Sequence, residues 1–238
     1  MNRYEALLFD MGYTLVYFEP PATTIIRQAL RELGVERSAE QIEVATHVVW
    51  GAYYQQAETT TFPATEAYDR ESQQRLSQNL LSELGLEARA LVLDYMDSLE
   101  AWFSRPGVIR PYAEVVEVLT GLLGQGYRLG IVSNWSWNLR QRVVQAGLEG
   151  FFEIVWASAY AGCNKPHPEI FAQALAQMGV TPERALYVGD SYEHDIVGAR
   201  NAGLEAVLLD RKGTAEAPDC PVIGSLRELD DLLTQPYP

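Results

Sequence analysis

From residue 112 onward, short apolar runs alternate with amphipathic stretches, and this alternation constrains the fold more than any other feature of the chain. Residues 112–123 read as a helix and 128–133 as a strand. Residues 137–146 read as a helix stopped by Gly147, and 152–156 as a strand. Residues 168–178 form a predicted helix with Pro168 at its start, where the missing N–H costs nothing. A strand at 185–188, a helix at 195–202 ended by Gly203, and a strand at 206–209 follow. Residues 221–224 read as a short edge strand before a last helix at 225–233. Strands separated by helices are βαβ units, so this part of the chain predicts an α/β fold: a Rossmann-like parallel sheet with helices on both faces. A buried strand near the amino end, Ala6-Leu7-Leu8-Phe9, stops at Asp10 and breaks at Gly12, which places Asp10 at the carboxyl edge of the same sheet.

Between those parts the pattern is helical only. Ile25, Ile26, Ala29, Leu30 and Leu33 mark one apolar face ended by Gly34. Ser38-Ala39-Glu40-Gln41 has the spacing of a capping box at the start of a second helix. Residues 70–84 and 88–103 complete four helices. The predicted organisation is a core of residues 1–16 and 108–238, split by an inserted all-helical cap domain of residues 17–107.

The 238 residues carry a formal net charge of −14, which excludes a surface built to hold a phosphate backbone, so no nucleic-acid partner is expected. A small anionic substrate remains compatible, because one lysine and a bound cation can invert the local field. Cys163 and Cys220 have no metal-ligand spacing and fit a reducing compartment. No apolar run approaches the roughly 18 residues of a membrane span. Residues 1–4 lead directly into the first strand, so no membrane partner and a cytoplasmic location are expected. Nothing distinguishes a monomer from a homodimer.

Four strand ends carry polar residues: Asp10, Ser133-Asn134, Lys165 within Asn164-Lys165-Pro166-His167-Pro168, and Gly189-Asp190 followed by Asp195. Each alone has an ordinary structural reading as a turn residue, a helix cap or a solvated loop charge. In this order they resemble the haloacid dehalogenase superfamily of phosphatases and related hydrolases, in the subfamily with a helical cap after the first motif. The resemblance implies a Mg2+-dependent phosphatase acting on a small phosphorylated metabolite through an aspartyl-phosphate. Asp10 is then the nucleophile and Lys165 the catalytic cation. Ser133, Asn134 (through a backbone amide near it) and Lys165 would bind the phosphoryl oxygens. Asp10, Asp190 and the backbone carbonyl of Gly12 would hold Mg2+, with Asp195 supporting that shell or Lys165.

One position departs from the resemblance. The family's phosphatases carry a second Asp two residues after the nucleophile, as general acid and base; here that residue is Gly12, followed by Tyr13 where glycine is usual. Such catalysis contributes about 10²–10⁴-fold. His167, His194 and Glu19 are the candidates to replace it, and acyl or aryl phosphates would need no acid. The cap aromatics Trp50, Tyr53, Tyr54, Phe62 and Tyr68 read chiefly as bundle core, whereas Trp135 and Trp137 stand beside the second motif. Two other functions compete. A 2-haloacid dehalogenase would use Asp10 on carbon, without Mg2+ and with an Arg soon after the first motif, but no Arg follows Asp10 before Arg27. A non-catalytic relative would bind a ligand or a protein and would need no nucleophile beside a metal site.

Overall fold

The structure, a computed structural model, describes residues 3–57, 60–86, 89–216 and 218–234. The chain divides into two compact units, one formed by Met1–Tyr17 with Pro111–Pro238 and the other by Phe18–Arg110.

The elements run β1 (Ala6–Phe9), β2 (Val16–Phe18), α1 (Ala22–Glu32), α2 (Ala39–Ala57), α3 (Glu66–Glu83), α4 (Arg89–Phe103) and β3 (Ile109–Pro111). They continue with α5 (Val115–Gly124), β4 (Arg128–Ser133), α6 (Leu139–Gln145), β5 (Ile154–Ala157), α7 (Ser158–Ala161) and α8 (Pro168–Met178). Last come β6 (Ala185–Gly189), a π-helical turn (Tyr192–Val197), α9 (Gly198–Asn201), β7 (Glu205–Leu209), β8 (Val222–Ile223) and α10 (Leu229–Thr234). β2 and β3 form a separate two-stranded sheet.

The main sheet has the order β5-β4-β1-β6-β7-β8, and all its strand pairs are parallel. From β1 the chain builds outward through β4 and β5, then returns to the other side of β1 for β6, β7 and β8. That reversal opens a crevice at the carboxyl ends of β4, β1 and β6, where folds of this kind bind ligands. The register sets the three ends level: Phe9 pairs with Ile131 on one side and Val188 on the other. Asp10, Ser133 and Asp190 therefore leave the sheet at one edge.

Side chains alternate across β1, so both faces are buried. Ala6 and Leu8 join Ile170, Phe171 and Ala174 of α8 in one cluster, while Leu7 and Phe9 point to the opposite face and are equally buried. Burying a leucine or phenylalanine side chain fully is worth roughly 1.5–3 kcal/mol, so β1 is held from both sides. In the other unit, Leu30, Ile42, Leu81 and Tyr95 belong to a second cluster drawn from four helices. Its second helix starts on a reciprocal pair of bonds: Gln41 N donates to Ser38 Oγ at 3.1 Å, and Ser38 N donates to Gln41 Oε1 at 2.9 Å. This is the capping box read from the sequence.

The expected helix at 195–202 is replaced by the π-helical turn and the short α9. The Ser191 carbonyl accepts from Asp195 N at 2.9 Å and from Ile196 N at 3.3 Å, so the turn holds one residue more than an α-helix does. The expected strand at 152–156 starts later, at Ile154, and the helix expected from 112 starts at Val115, after β3. Among the described residues no helix is long and apolar enough to cross a membrane.

Candidate active site

The crevice is organised by one buried ammonium. Lys165 follows the turn after α7, and its Nζ donates to Asp10 Oδ1 at 2.6 Å, to Asp195 Oδ1 at 2.6 Å and to the Tyr187 hydroxyl at 3.0 Å. All three protons of the ammonium are used. Burial alone would lower the Lys165 pKa, but Asp10 and Asp195 outweigh it and hold it above its ordinary value, so the side chain is a fixed cation. Asp10 is raised by burial, against the pull of Lys165.

Ser133, the last residue of β4, donates from Oγ to Asp10 Oδ1 at 2.8 Å. Asp10 Oδ1 thus accepts from Ser133 and Lys165 together, an arrangement that orients the carboxylate. Asn134 turns the other way: its Nδ2 donates to the Lys165 carbonyl at 3.0 Å, and its Oδ1 accepts from Lys165 N at 2.7 Å. The amide side chain therefore positions the backbone of Lys165.

Asp195 is engaged on both oxygens, by Lys165 at Oδ1 and by Ser191 N at Oδ2, 2.9 Å away. The extra residue of the π-helical turn brings it back beneath β6, and Gly189 makes room for it: a Cβ there would overlap Cγ and Oδ2 of Asp195. Asp190, the exposed member of the group, accepts a long bond from Thr14 Oγ1 at 3.3 Å. Partial desolvation of its carboxyl, then the charges of Asp10 and Asp195, push its pKa up to about 7.

Carboxylate oxygens of Asp10, Asp190 and Asp195 lie within 4.8 Å of one another. Three carboxylates against one ammonium leave an excess of two negative charges when all are ionised. A hard divalent cation with oxygen ligands matches that excess, and Mg2+ typically takes one or two carboxylates and keeps waters. The donor set fits the ion that the family resemblance implies.

The loop after Asp10 is held from outside the crevice. Tyr13 has a φ of +58°, the left-handed region that disfavours any side chain by about 1–2 kcal/mol. Arg211, in the loop after β7, donates to the Tyr13 carbonyl at 3.3 Å and to the Thr14 carbonyl at 2.8 Å. Its Nη1 lies 2.6 Å from Glu114 Oε1, and its guanidinium stacks on Tyr112, 3.6 Å from the ring centroid. Gly12 has no left-handed backbone, and a Cβ there would meet only the Trp135 ring, with Cζ3 at 3.6 Å.

The structure brings Asp10, Ser133, Lys165, Asp190 and Asp195 to one point and ties Asn134 to it through Lys165. It gives the candidate histidines local work: His167 Nδ1 accepts from Glu169 N at 3.2 Å as the cap of α8, and His194 Nδ1 lies 2.9 Å from Ser191 Oγ. Sequence reasoning missed Tyr187, whose hydroxyl donates to the Val132 carbonyl at 2.8 Å beneath Lys165, and it missed Arg211 and Glu114. A tyrosine inside the apolar run Ala185-Leu186-Tyr187-Val188 was the available signal for the first, because a buried hydroxyl needs a partner.

Known proteins resemble this chain in sequence and in fold. The sequence profile of the haloacid dehalogenase-like hydrolases matches residues 4–203. The phosphoserine phosphatase of Thermus thermophilus is 29% identical over 240 residues, covering 94% of this chain and 96% of that protein. The glyceraldehyde 3-phosphate phosphatase of Methanothermobacter thermautotrophicus is 36% identical over 116 residues, covering 47% of this chain and 50% of that protein, so the match spans half the length of that relative. The magnesium-bound orthorhombic form of the hydrolase YfnB from Bacillus subtilis shares the fold, with a TM-score of 0.75 and 24% identity over 98% of this chain and 100% of its own.

Proposed function

The chain belongs to the haloacid dehalogenase-like hydrolases, and on that premise we propose that it is a Mg2+-dependent phosphatase of small phosphorylated metabolites, working through a phosphoaspartate at Asp10. The observation that carries this reading is Asp10 fixed between Ser133 and Lys165, with Asp190 within reach of the same point. Asp10 attacks phosphorus, and water then releases phosphate from the acyl phosphate so formed. Lys165 sets its positive charge against the transferring group and the Asn134 main-chain N–H donates to it, while the Ser133 hydroxyl orients the attacking Asp10. Asp195 and Tyr187 keep the Lys165 ammonium in place from below. Mg2+, held by Asp10, Asp190 and the Gly12 carbonyl, would supply charge neutralisation at the phosphoryl oxygens. Free cysteines, Cys163 buried and Cys220 half-buried, suit the reducing cytoplasm we assign to it.

The dehalogenase alternative leaves Asp190 without a task, and a purely binding relative leaves a costly buried charge cluster without one. Phosphate release from a panel of phosphorylated metabolites, with Mg2+ or with EDTA, tests the proposal. Turnover should require Mg2+ and fall by on the order of 10⁴-fold or more in Asp10→Asn. Turnover that survives in Asp10→Asn would discard the phosphoaspartate.

A further inference from the structure

We propose that the substrates of this site are acyl phosphates, mixed anhydrides whose leaving group departs as a carboxylate; this rests on the phosphatase reading above. The argument starts at Gly12, two residues beyond Asp10. Its backbone is not left-handed, and a Cβ would make only an ordinary contact with Trp135. Neither conformation nor space requires glycine there, whereas Tyr13, which does take a left-handed φ, carries a large side chain. The lack of a side chain at position 12 is therefore not imposed by the fold, and its consequence for the site is chemical.

Among the described residues bonded to Asp10 or Asp190, every side-chain proton is already engaged. The hydrogen bonds of Lys165 go to Asp10, Asp195 and Tyr187, that of Ser133 to Asp10, and that of Thr14 to Asp190. Trp135 turns its indole N–H to Asn138 Oδ1, 3.1 Å away, and its main-chain N–H to Ser158 Oγ. An alkoxide leaving group, about as basic as hydroxide with a conjugate acid near pKa ~16, needs a proton as it departs. A carboxylate, with a conjugate acid near pKa ~4, does not.

With an acyl phosphate, an Asp10 oxygen forms the new P–O bond while the P–O bond to the acyl group breaks, and the electron pair leaves on the released carboxylate. In the second step a water oxygen bonds to phosphorus, the bond to Asp10 breaks, and Asp10 recovers its electron pair. Both water protons leave on dihydrogen phosphate. Each step expels a carboxylate, so a site that hydrolyses its own phosphoaspartate is already equipped for an acyl phosphate supplied from outside.

The test compares kcat/KM of the intact protein with Mg2+ on acetyl phosphate, 4-nitrophenyl phosphate, phosphoserine and glycerol 3-phosphate, corrected for turnover by Asp10→Asn. Acetyl phosphate should exceed the two alkyl phosphates by about 10²–10⁴-fold, with the aryl ester between, which is the range that general acid catalysis otherwise supplies. Gly12→Asp should narrow that ratio by about 10²-fold. Alkyl phosphates turned over as fast as acetyl phosphate by the wild type would overturn the inference and leave the phosphatase standing. Loss of every Asp10-dependent activity, acetyl phosphate included, would overturn both. The wild-type comparison decides even where Gly12→Asp does not fold.

Discussion

The Nζ of Lys165 lies 2.6 Å from Oδ1 of Asp10, a buried contact between residues 155 positions apart in the sequence. Among the described residues the ammonium is also the only positive charge bonded to Asp195. It therefore does two things at once: it orients the carboxylate that reacts, and it keeps two buried acids compatible with folding.

Removing that charge should be costly. A buried ion pair that loses one partner typically gives up about 3–5 kcal/mol, because the remaining charge is left uncompensated. Lys165→Met should lower stability by that amount in urea denaturation, and millimolar Mg2+ should restore part of it by neutralising the same carboxylates. A variant with the wild-type midpoint, with or without Mg2+, would show that the ammonium does not hold the acids.

Gly189 is required by proximity. Its Cβ position is already filled by the Asp195 carboxyl, so Gly189→Ala must push Asp195 off Lys165 and Ser191 N. Displacing a positioning group by about 1 Å costs on the order of 10²-fold in rate, and overpacking costs roughly 1–3 kcal/mol. Gly12→Ala, whose Cβ would make only an ordinary contact with the Trp135 ring, should stay within about 0.5 kcal/mol of the wild type. Thermal unfolding of the two variants side by side checks the contrast, and equal melting temperatures would refute it.

Glu114 links the loop after the nucleophile to pH. Burial works to raise its pKa, but the hydrogen bond and charge of Arg211 outweigh it, and the carboxyl sits below its ordinary value of 4.5. A depressed carboxylate pKa stabilises the fold at pH above the unfolded value, and the stabilisation disappears as the pH falls through the folded value. Glu114→Gln should thus cost roughly 1–3 kcal/mol at neutral pH, and the gap to the wild type should close progressively below the ordinary glutamate range. Denaturation midpoints at neutral and acid pH measure it; a gap independent of pH would assign the loss to packing.

What the sequence determined was local: where strands and helices alternate, which strand ends carry a carboxylate, a hydroxyl or a lysine, and that position 12 has no side chain. Periodicity reports the face an element buries, and glycine and proline report where it stops, so the parallel α/β sheet and the four helices between residues 22 and 103 were legible without coordinates. The structure decided how distant residues divide the work. It spent the Asn134 side chain on the Lys165 backbone, placed Tyr187 beneath Lys165, and turned Asp195 back through a π-helical turn. It also set Arg211 over the carbonyls of Tyr13 and Thr14, and the Trp135 ring against Gly12. None of these follows from spacing along the chain, because each depends on β4, β1 and β6 lying side by side with their ends level. That order is set by how the whole core packs, and no single segment carries it.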